Sequence, residues 1–308
     1  MLENKTLRYP CILVLFLQLK VVAFEQHLLT PTPDSTSNLT STQHESIIRY
    51  NKQIAWHSLI TDIPSDYSVF ANNSFRIQEI PDYLTVGALT GSLLLVDETT
   101  WRNTRIYYKK SQNFRNLSDI AVKMGDGRYQ FLTTAIFTAP GLIFHDETAF
   151  KTGSNIAEAI ISTGLLVQVL KRITGRQSPA AATESGGDWE PLPSIKQYQQ
   201  HQPSFYSFPS GHLSTATAIF TVIANNYPDE KWIRPFSYPI LGLLSASLVG
   251  KGMHWYSDLP LAYFLGYSFG NIIAPEKDLA VQVKSSTLLS VNPSINYNGL
   301  HIGLLFKF

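Results

Sequence analysis

Six apolar stretches separated by polar segments constrain the fold of this chain more than any other feature. They cover residues 83–96, 129–144, 154–171, 212–225, 239–250 and 259–273. In residues 154–171 the apolar side chains recur at helical spacing, and Ile156, Ile160, Leu165, Val169 and Leu170 form the predicted core stripe. The pattern predicts an all-α fold, a compact helical bundle of about six core helices.

The length of these stretches favours a bundle over a set of membrane spans. Most are 12 to 17 residues long, whereas a spanning helix needs about 20 residues. Glu158 interrupts one stretch, and Pro140 is expected to kink or break another. Charged residues make up 15% of the chain, below the roughly 25% of soluble domains. A multi-span membrane protein therefore stays open as an alternative.

Residues 1–23 are typical of a secretory signal peptide. Lys5 and Arg8 give a basic start, residues 11–19 are apolar, and residues 21–23 offer a small-residue cleavage site. An uncleaved anchor is the alternative. Either way we expect export to the periplasm or another extracytoplasmic space, where the protein could be membrane-associated. Cys11 is the only cysteine, so a mature chain without the signal has no disulfide and no thiol nucleophile.

The remaining sequence divides into three segments. Residues 24–45 are rich in Thr, Ser, Pro and Asn and are predicted to form a disordered polar linker. Residues 46–280 contain the apolar stretches and are predicted to form the helical domain. Residues 281–308 form a tail in which apolar side chains alternate after an Asn298–Gly299 turn signal. This tail is predicted to be a short C-terminal β-hairpin packed on the bundle.

Three short motifs contain the side chains best suited to chemistry: residues 171–179, 208–212 and 252–258. In the second motif, Ser210 directly precedes an apolar stretch and is predicted to cap a helix whose N-terminus binds an anion. Gly211 would let the backbone approach that anion closely. Phosphoryl transfer needs such donors, an in-line nucleophile and an acid for the leaving oxygen.

His254 and Asp258 in the third motif are predicted to interact. Pro260 is tolerated only in the first turn of a helix, so the last helix is expected to begin near Leu259. The preceding turn would bring the Asp258 carboxylate onto Nδ1 of His254 and leave Nε2 free to attack. Two alternatives stay open: an ordinary structural hydrogen bond, and a metal site made by His212, His254 and Asp258.

Together the three motifs resemble the signature motifs of the type 2 phosphatidic acid phosphatase superfamily. This superfamily also contains the bacterial class A acid phosphatases and the vanadium haloperoxidases. The resemblance implies that His254 is a nucleophile that forms a phosphohistidine, that Asp258 orients it, and that His212 protonates the leaving alcohol. It also implies hydrolysis without a metal or another cofactor. The phosphate contacts that it implies are Lys171, Ser210 and Gly211.

Two arginines of the family pattern are missing from this sequence. Ser178 stands at the first-motif position, and Leu248 stands at the third-motif position. Arg176, which follows Gly175, is a candidate replacement for the first arginine. Lys251, three residues after Leu248, is a candidate replacement for the second. Each could instead be a solvated side chain at a helix end, and losing both cations would weaken oxyanion binding.

The leading interpretation is an exported phosphatase that hydrolyses phosphomonoesters. The expected partner is a phosphorylated lipid (a phosphate or a pyrophosphate) or a small phosphate ester, and a membrane surface is a further candidate. A formal net charge of +1 gives no reason to expect nucleic acid. Two alternatives remain: a vanadate-dependent haloperoxidase, and a weak or inactive family member that serves as a binding or structural bundle. The long segment 177–207 is expected to cover the pocket.

Overall fold

The computed structural model describes residues 61–74, 76 and 79–275 in full, and the backbone of residues 289–296 and 299–306. The predicted signal peptide (1–23), the linker (24–45) and the start of the helical domain at residue 46 lie outside the described residues. These three assignments stay predictions.

The described residues between 61 and 275 are mostly helical, which confirms the all-α prediction for this part of the chain. The α-helices are α1 (Ile63–Ser74), α2 (Ile80–Leu94), α3 (Asp97–Lys110), α4 (Gln112–Gly125), α5 (Gly127–Phe144), α6 (Glu147–Thr174), α7 (Ile195–Gln200), α8 (Gly211–Asn226), α9 (Ile233–Lys251) and α10 (Leu259–Ile273). Two 3₁₀ turns, η1 (Gln202–Ser204) and η2 (Tyr256–Asp258), precede α8 and α10. The described part thus holds ten α-helices, four more than the core set predicted.

Helix α8 lies at the centre of the bundle and packs against α4, α6, α9 and α10. Its buried residues occur on all sides, as expected of a helix enclosed by neighbours. Two glycines of α10 allow the closest of these approaches. A Cβ atom at Gly266 would lie 2.1 Å from the Ser214 carbonyl oxygen, and one at Gly270 would lie 2.5 Å from Cβ of Thr221. Any larger side chain would force α10 away from α8.

Glycine residues in the left-handed conformation end helices α6 and α9. Gly175 ends α6 with φ of +56°, and Gly252 ends α9 with φ of +78°. This left-handed conformation favours glycine because other residues carry a Cβ that crowds the backbone. At the other end of α6, Asp146 caps the helix by accepting a hydrogen bond from the Ala149 N–H. Both glycine caps lie directly beside the motif residues, so they fix where each motif begins.

One detail of the helix predictions was wrong, and one of two alternatives is excluded. Helix α5 continues through Pro140 to Phe144, so the helix does not break at this proline. In α6, Ile156 and Ile160 are buried as predicted, but Leu165 and Val169 are 51% and 54% exposed. The reason is that successive residues of an α-helix are rotated by about 100°, so Leu165 and Val169 lie on the opposite side of α6 from Ile156 and Ile160. Near its C-terminus, Val167 and Lys171 are buried instead.

The tail forms two antiparallel strands, β1 (Leu289–Asn296) and β2 (Gly299–Phe306), in which Asn296 pairs with Gly299. The side chains of these strands lie outside the described residues, so a hairpin packed on the bundle stays a prediction. Across the helical part that the structure describes, no helix combines the length and the hydropathy needed to cross a bilayer.

Candidate active site

The N-terminus of α8 forms one wall of the candidate site. Ser210 is the N-cap, as predicted, and its Oγ accepts the Leu213 N–H at 3.4 Å. The Ser210 N–H donates to the Asp258 carbonyl at 3.1 Å, which ties this turn to η2. A Cβ atom at Gly211 would lie 3.6 Å from Nζ of Lys171. The helix start, with its partial positive charge, therefore lies beside an ammonium group.

His254 follows the Gly252 cap of α9 and is fully buried. Its Nδ1 lies 2.7 Å from the carbonyl oxygen of Ser207. A carbonyl oxygen can only accept, so Nδ1 carries the proton and the lone pair of a neutral ring lies on Nε2. Nε2 is buried and has no hydrogen-bond partner among the described residues. Burial lowers the pKa of His254, although Asp258 and Ser207 oppose this, and the ring is neutral at neutral pH.

Asp258 lies behind the imidazole, in the position that the sequence predicted. Its Oδ2 is 3.5 Å from Nδ1 of His254 and accepts the Trp255 N–H at 2.7 Å and the Ser207 hydroxyl at 2.6 Å. The closest acceptor to Nδ1 is thus the Ser207 carbonyl, which the sequence analysis missed. Burial acts to raise the pKa of Asp258, but Arg176, His254 and Ser207 together lower it, so the carboxylate is ionised.

Arg176 was predicted to bind phosphate, and the structure places its guanidinium among protein acceptors instead. Nη1 donates to Asp258 Oδ1 and Ser257 Oγ, each at 2.6 Å. Nη2 donates to Asp97 Oδ2 at 2.8 Å and to the Gly186 carbonyl at 2.7 Å. Every N–H of the two terminal nitrogens therefore has an acceptor. The side chain is fully buried, so it acts as a bridge between two carboxylates.

Asp97 is the member of this network that the sequence analysis did not identify. It is the first residue of α3, it is 1% exposed, and its oxygens accept from Arg176 and from both the N–H and the hydroxyl of Ser257. Burial raises the pKa of Asp97, and the hydrogen bonds from Ser257 and Arg176 oppose this rise. The acidic pair at residues 97–98, which directly follows the apolar stretch 83–96, was a visible signal.

Lys171 provides a cation at the candidate site. Its side chain is buried on the last turn of α6, and its Nζ lies 4.9 Å from the centroid of the Tyr206 ring. Burial lowers the pKa of Lys171 to about 8, with Asp258 acting in the opposite direction. Of the three cations predicted to bind phosphate, Lys171 alone has no carboxylate partner among the described residues. Its ammonium is therefore available to an anion.

His212 lies on the first turn of α8, and its ring centroid is 6.3 Å from that of His254. Gly125, at the end of α4, leaves room for it, because a Cβ there would lie 2.5 Å from Cβ of His212. Burial, His254 and Lys171 lower the pKa of His212 to about 4. The His212 ring is therefore neutral in the free site. The two imidazole rings lie edge to face, with an interplanar angle of 65°.

Lys251, which was predicted to be a phosphate ligand, does not join this group. Its Nζ lies 2.5 Å from Oδ1 of Asp119, an exposed carboxylate on α4. Leu248, whose missing charge it was expected to replace, is fully buried within the hydrophobic core. Gly252 ends α9 directly after Lys251, so the lysine side chain leaves the helix toward α4 while the chain turns toward His254. Ser178, at the other arginine position, has a buried Oγ without a partner among the described residues.

The segment 177–207 is fixed to the helices on both sides of the site. Residues 176 and 189 form an isolated antiparallel bridge, and the Leu192 N–H donates to the Arg172 carbonyl at 2.9 Å. The Trp189 ring centroid lies 4.8 Å from Cζ of Arg176, so its indole covers the guanidinium. At the end of the segment, the Tyr206 ring lies 6.2 Å from that of His254. The segment thus supplies Tyr206 and Ser207 directly to the site.

These features define a helical protein with a candidate anion site, in which a neutral histidine with a free Nε2, a second histidine, an ammonium and a helix N-terminus lie together. Among the described residues, no group of three His, Cys, Asp or Glu side chains is arranged to hold a metal ion. Residues 153–276 match the family model of the PAP2 superfamily. The match confirms the resemblance that the three motifs predicted, and members of this superfamily are generally phosphatases that act on phosphorylated substrates.

The matched segment includes all eight residues predicted for the site and excludes Asp97. Neither the search of curated proteins nor that of solved structures found a significant match.

Proposed function

We propose that this protein is an exported phosphomonoesterase that works through a phosphohistidine on Nε2 of His254. The observation that carries the proposal is the buried, unpartnered Nε2, whose ring is held in the reactive tautomer by the Ser207 carbonyl. Export rests on the signal peptide predicted for residues 1–23, and a mature N-terminus at Phe24 would verify it.

The chemistry follows from the positions of the two histidines. Nε2 of His254 attacks phosphorus, the bond from phosphorus to the ester oxygen breaks, and His212 gives its proton to that oxygen. In the second step, His212 takes a proton from water, the water oxygen attacks phosphorus, and the bond to Nε2 breaks. The first step needs a protonated His212, whose pKa is about 4 in the free site. A bound phosphoryl anion raises that pKa because it favours the charged imidazolium.

Lys171 and the first turn of α8 are the groups that would hold the phosphoryl oxygens. Arg176 has no terminal N–H left to offer, and Lys251 is paired with Asp119. One ammonium takes the place of the lysine and two arginines in the family pattern. A lysine gives a point charge where arginine gives a two-pronged contact. We therefore expect weak ground-state binding of phosphate, and stabilisation that depends strongly on Lys171.

Exposed apolar side chains on α5 and α6 favour a phosphorylated lipid over a small soluble ester. Phe131 and Leu132 lie on the first turns of α5, just after Gly125, and are 51% and 55% exposed. Leu165 and Val169 lie on the last turns of α6, just before Lys171, and are exposed to a similar extent. Since soluble proteins rarely leave large contiguous apolar patches uncovered, these residues are suited to contact the acyl chains of a substrate.

The proposal is tested by assaying the purified protein with phosphatidate in mixed micelles and with p-nitrophenyl phosphate, in the presence of a metal chelator. We expect both esters to be hydrolysed, phosphatidate with the higher kcat/KM, and orthovanadate to inhibit as a phosphate mimic. A preference for p-nitrophenyl phosphate would overturn the lipid assignment alone. If neither ester is hydrolysed between about pH 5 and pH 9, the proposed function is overturned.

The pKa of Lys171 sets the expected behaviour at alkaline pH. A lysine whose pKa is about 8 is charged below that pH and neutral above it, so kcat/KM should fall as pH rises through about 8. Lys171→Arg should move this fall to higher pH, because arginine keeps its charge. Lys251→Met serves as the matched control and should leave the profile unchanged. If the pH profile is identical in the wild type and in Lys171→Arg, the ionisation of Lys171 does not cause the fall in kcat/KM at alkaline pH.

A further inference from the structure

We propose that Asp97 and Arg176 are positioning residues for the His254–Asp258 pair. Arg176 holds Oδ1 of Asp258 so that Oδ2 lies behind the imidazole, and Asp97 holds Arg176 from the opposite side. Asp97 lies outside the matched family segment, and α3 supplies it from a distant part of the sequence. The catalytic role of this arrangement rests on the proposed function of His254.

The hydrogen bonds of Asp97 separate this role from ordinary helix capping. An acidic side chain in the first turn of a helix usually accepts a backbone N–H of its own helix. The carboxylate of Asp97 instead accepts the Ser257 N–H at 3.1 Å, the Ser257 hydroxyl, and Nη2 of Arg176 at 2.8 Å. All three donors belong to the motif segments. Asp97 is therefore directed toward the site and away from its own helix.

The charges of the network give Asp97 its effect on His254. Asp97, Arg176 and Asp258 carry two negative charges and one positive charge, so one net negative charge lies behind Nδ1. That charge favours an imidazole ring that becomes cationic when Nε2 gains a proton or a phosphoryl group. Without Asp97, the full positive charge of Arg176 would act on Asp258 alone, and the net charge behind the ring would be zero. The other titratable or charged groups that face His254 are Lys171, His212 and Tyr206.

The geometry also explains why Arg176 lies two residues before the position of the family arginine. Gly175 turns the chain at the end of α6, and the Arg176 side chain enters the core between the Trp189 and Trp255 rings. There it meets Asp97, a fully buried acid with which it is paired. Because protein acceptors occupy the N–H groups of both terminal nitrogens, Arg176 fixes Asp258 and does not offer these groups to an anion.

Asp97→Asn tests the inference, because it keeps the shape of the side chain and removes its charge. We expect kcat to fall by about 10- to 100-fold, the range seen when an outer-shell partner of an active-site ligand is removed. The inhibition constant of orthovanadate should change little. The His254 pKa, followed by ¹H–¹⁵N NMR of the imidazole nitrogens, should fall below the wild-type value. The NMR measurement does not require turnover, so it stands even if the protein hydrolyses no phosphate ester.

Two controls separate charge and positioning from general stability. Asp66→Asn changes another buried aspartate of the bundle, one that accepts from Ser162 Oγ at 3.0 Å; it should lower Tm without moving the His254 pKa. Ser257→Ala removes the hydroxyl shared by Asp97 and Arg176 without changing any charge, and it should also leave that pKa in place. If Asp97→Asn behaves like Asp66→Asn, with a lower Tm but an unchanged pKa and kcat, the inference is overturned.

Arg176→Lys provides a second test that holds even if Asp97→Asn does not fold. Lysine keeps the charge but cannot supply the four N–H groups that now meet four acceptors. We expect a loss in kcat of at least about tenfold with little change in the orthovanadate inhibition constant. The opposite result, a weaker inhibition constant with kcat intact, would show that Arg176 binds the phosphoryl group and would overturn its role as a positioning residue.

Discussion

Replacing His254 with alanine is expected to abolish hydrolysis of phosphate esters, whereas His212→Ala should retain a slow residual rate. Loss of the nucleophile removes the covalent route altogether. Loss of an acid–base group typically costs about 10²- to 10⁴-fold, because water can replace the proton donor inefficiently. The two imidazoles lie 6.3 Å apart, so neither can substitute for the other at the same atom of the substrate.

A trapped intermediate is the decisive measurement for this prediction. Wild-type protein mixed with ³²P-labelled phosphatidate and quenched in alkali, where phosphohistidine is stable, should retain label, and His254→Ala should retain none. His212→Ala should retain more label than the wild type, because His212 is needed to activate water in the second step. Full activity in His254→Ala would end the phosphohistidine proposal. His201→Ala, which changes an exposed histidine of the 177–207 segment, serves as the control.

Local sequence signals predicted the site correctly wherever the conformation of a single turn determines the structure. Pro260 placed the start of α10 at Leu259, and Ser210 capped α8, as predicted. The His254–Asp258 pairing also follows from one turn, because its members are four residues apart. Such features depend on backbone conformations that proline, serine and glycine impose on their neighbours. The sequence therefore specifies these parts of the site without knowledge of the tertiary fold.

The partners of the cations could not be predicted in the same way. Arg176 and Asp97 are 79 residues apart in the chain, and Lys251 and Asp119 are 132 residues apart. No local pattern indicates which carboxylate a basic side chain will meet once the helices pack. Arg176 and Lys251 both looked available for phosphate because Asp97 and Asp119 lie on α3 and α4, two helices that were not predicted.

Helix α3 escaped prediction because it contains few apolar residues. Helix α4 has apolar residues at helical spacing, but polar residues interrupt them and they form no continuous apolar stretch. Helix α3 begins with Asp97 and Glu98 and ends with Lys109 and Lys110, which suits the helix dipole at both ends. That charge pattern was a usable signal, but a search for apolar periodicity does not detect it. The consequence for the site is large, since α3 carries Asp97 and α4 carries both Gly125 and Asp119.

Arg176→Met is expected to be the most destabilising of the substitutions considered, at about 3–5 kcal/mol. Among the described residues, Arg176 is the one cation paired with both Asp97 and Asp258, so its removal leaves two carboxylates buried close together. A buried charge without its partner keeps its desolvation cost and loses the compensating attraction. Arg102→Met, which removes an exposed partner of Glu98 on the same helix, is the matched control and should change stability by less than about 1 kcal/mol.

The pH dependence of this loss of stability shows whether its cause is two buried carboxylates without an ion-pair partner or the loss of side-chain packing. In the wild type the folded-state pKa of Asp258 is lowered, so its stabilising contribution is present above the unfolded pKa of about 3.9 and is lost as pH falls through the folded value. In Arg176→Met, burial should raise the pKa of both carboxyls, so the folded state binds protons more tightly than the unfolded chain and stability falls as pH rises.

Urea unfolding at several pH values should therefore show a difference in stability between the wild type and Arg176→Met that grows from about pH 4 to pH 7. Adding Asp97→Asn to Arg176→Met should recover part of the loss, because one of the two stranded charges is then gone. A deficit that is independent of pH and unaffected by Asp97→Asn would mean that Arg176 stabilises the bundle through its packing between two indole rings and not through its charge.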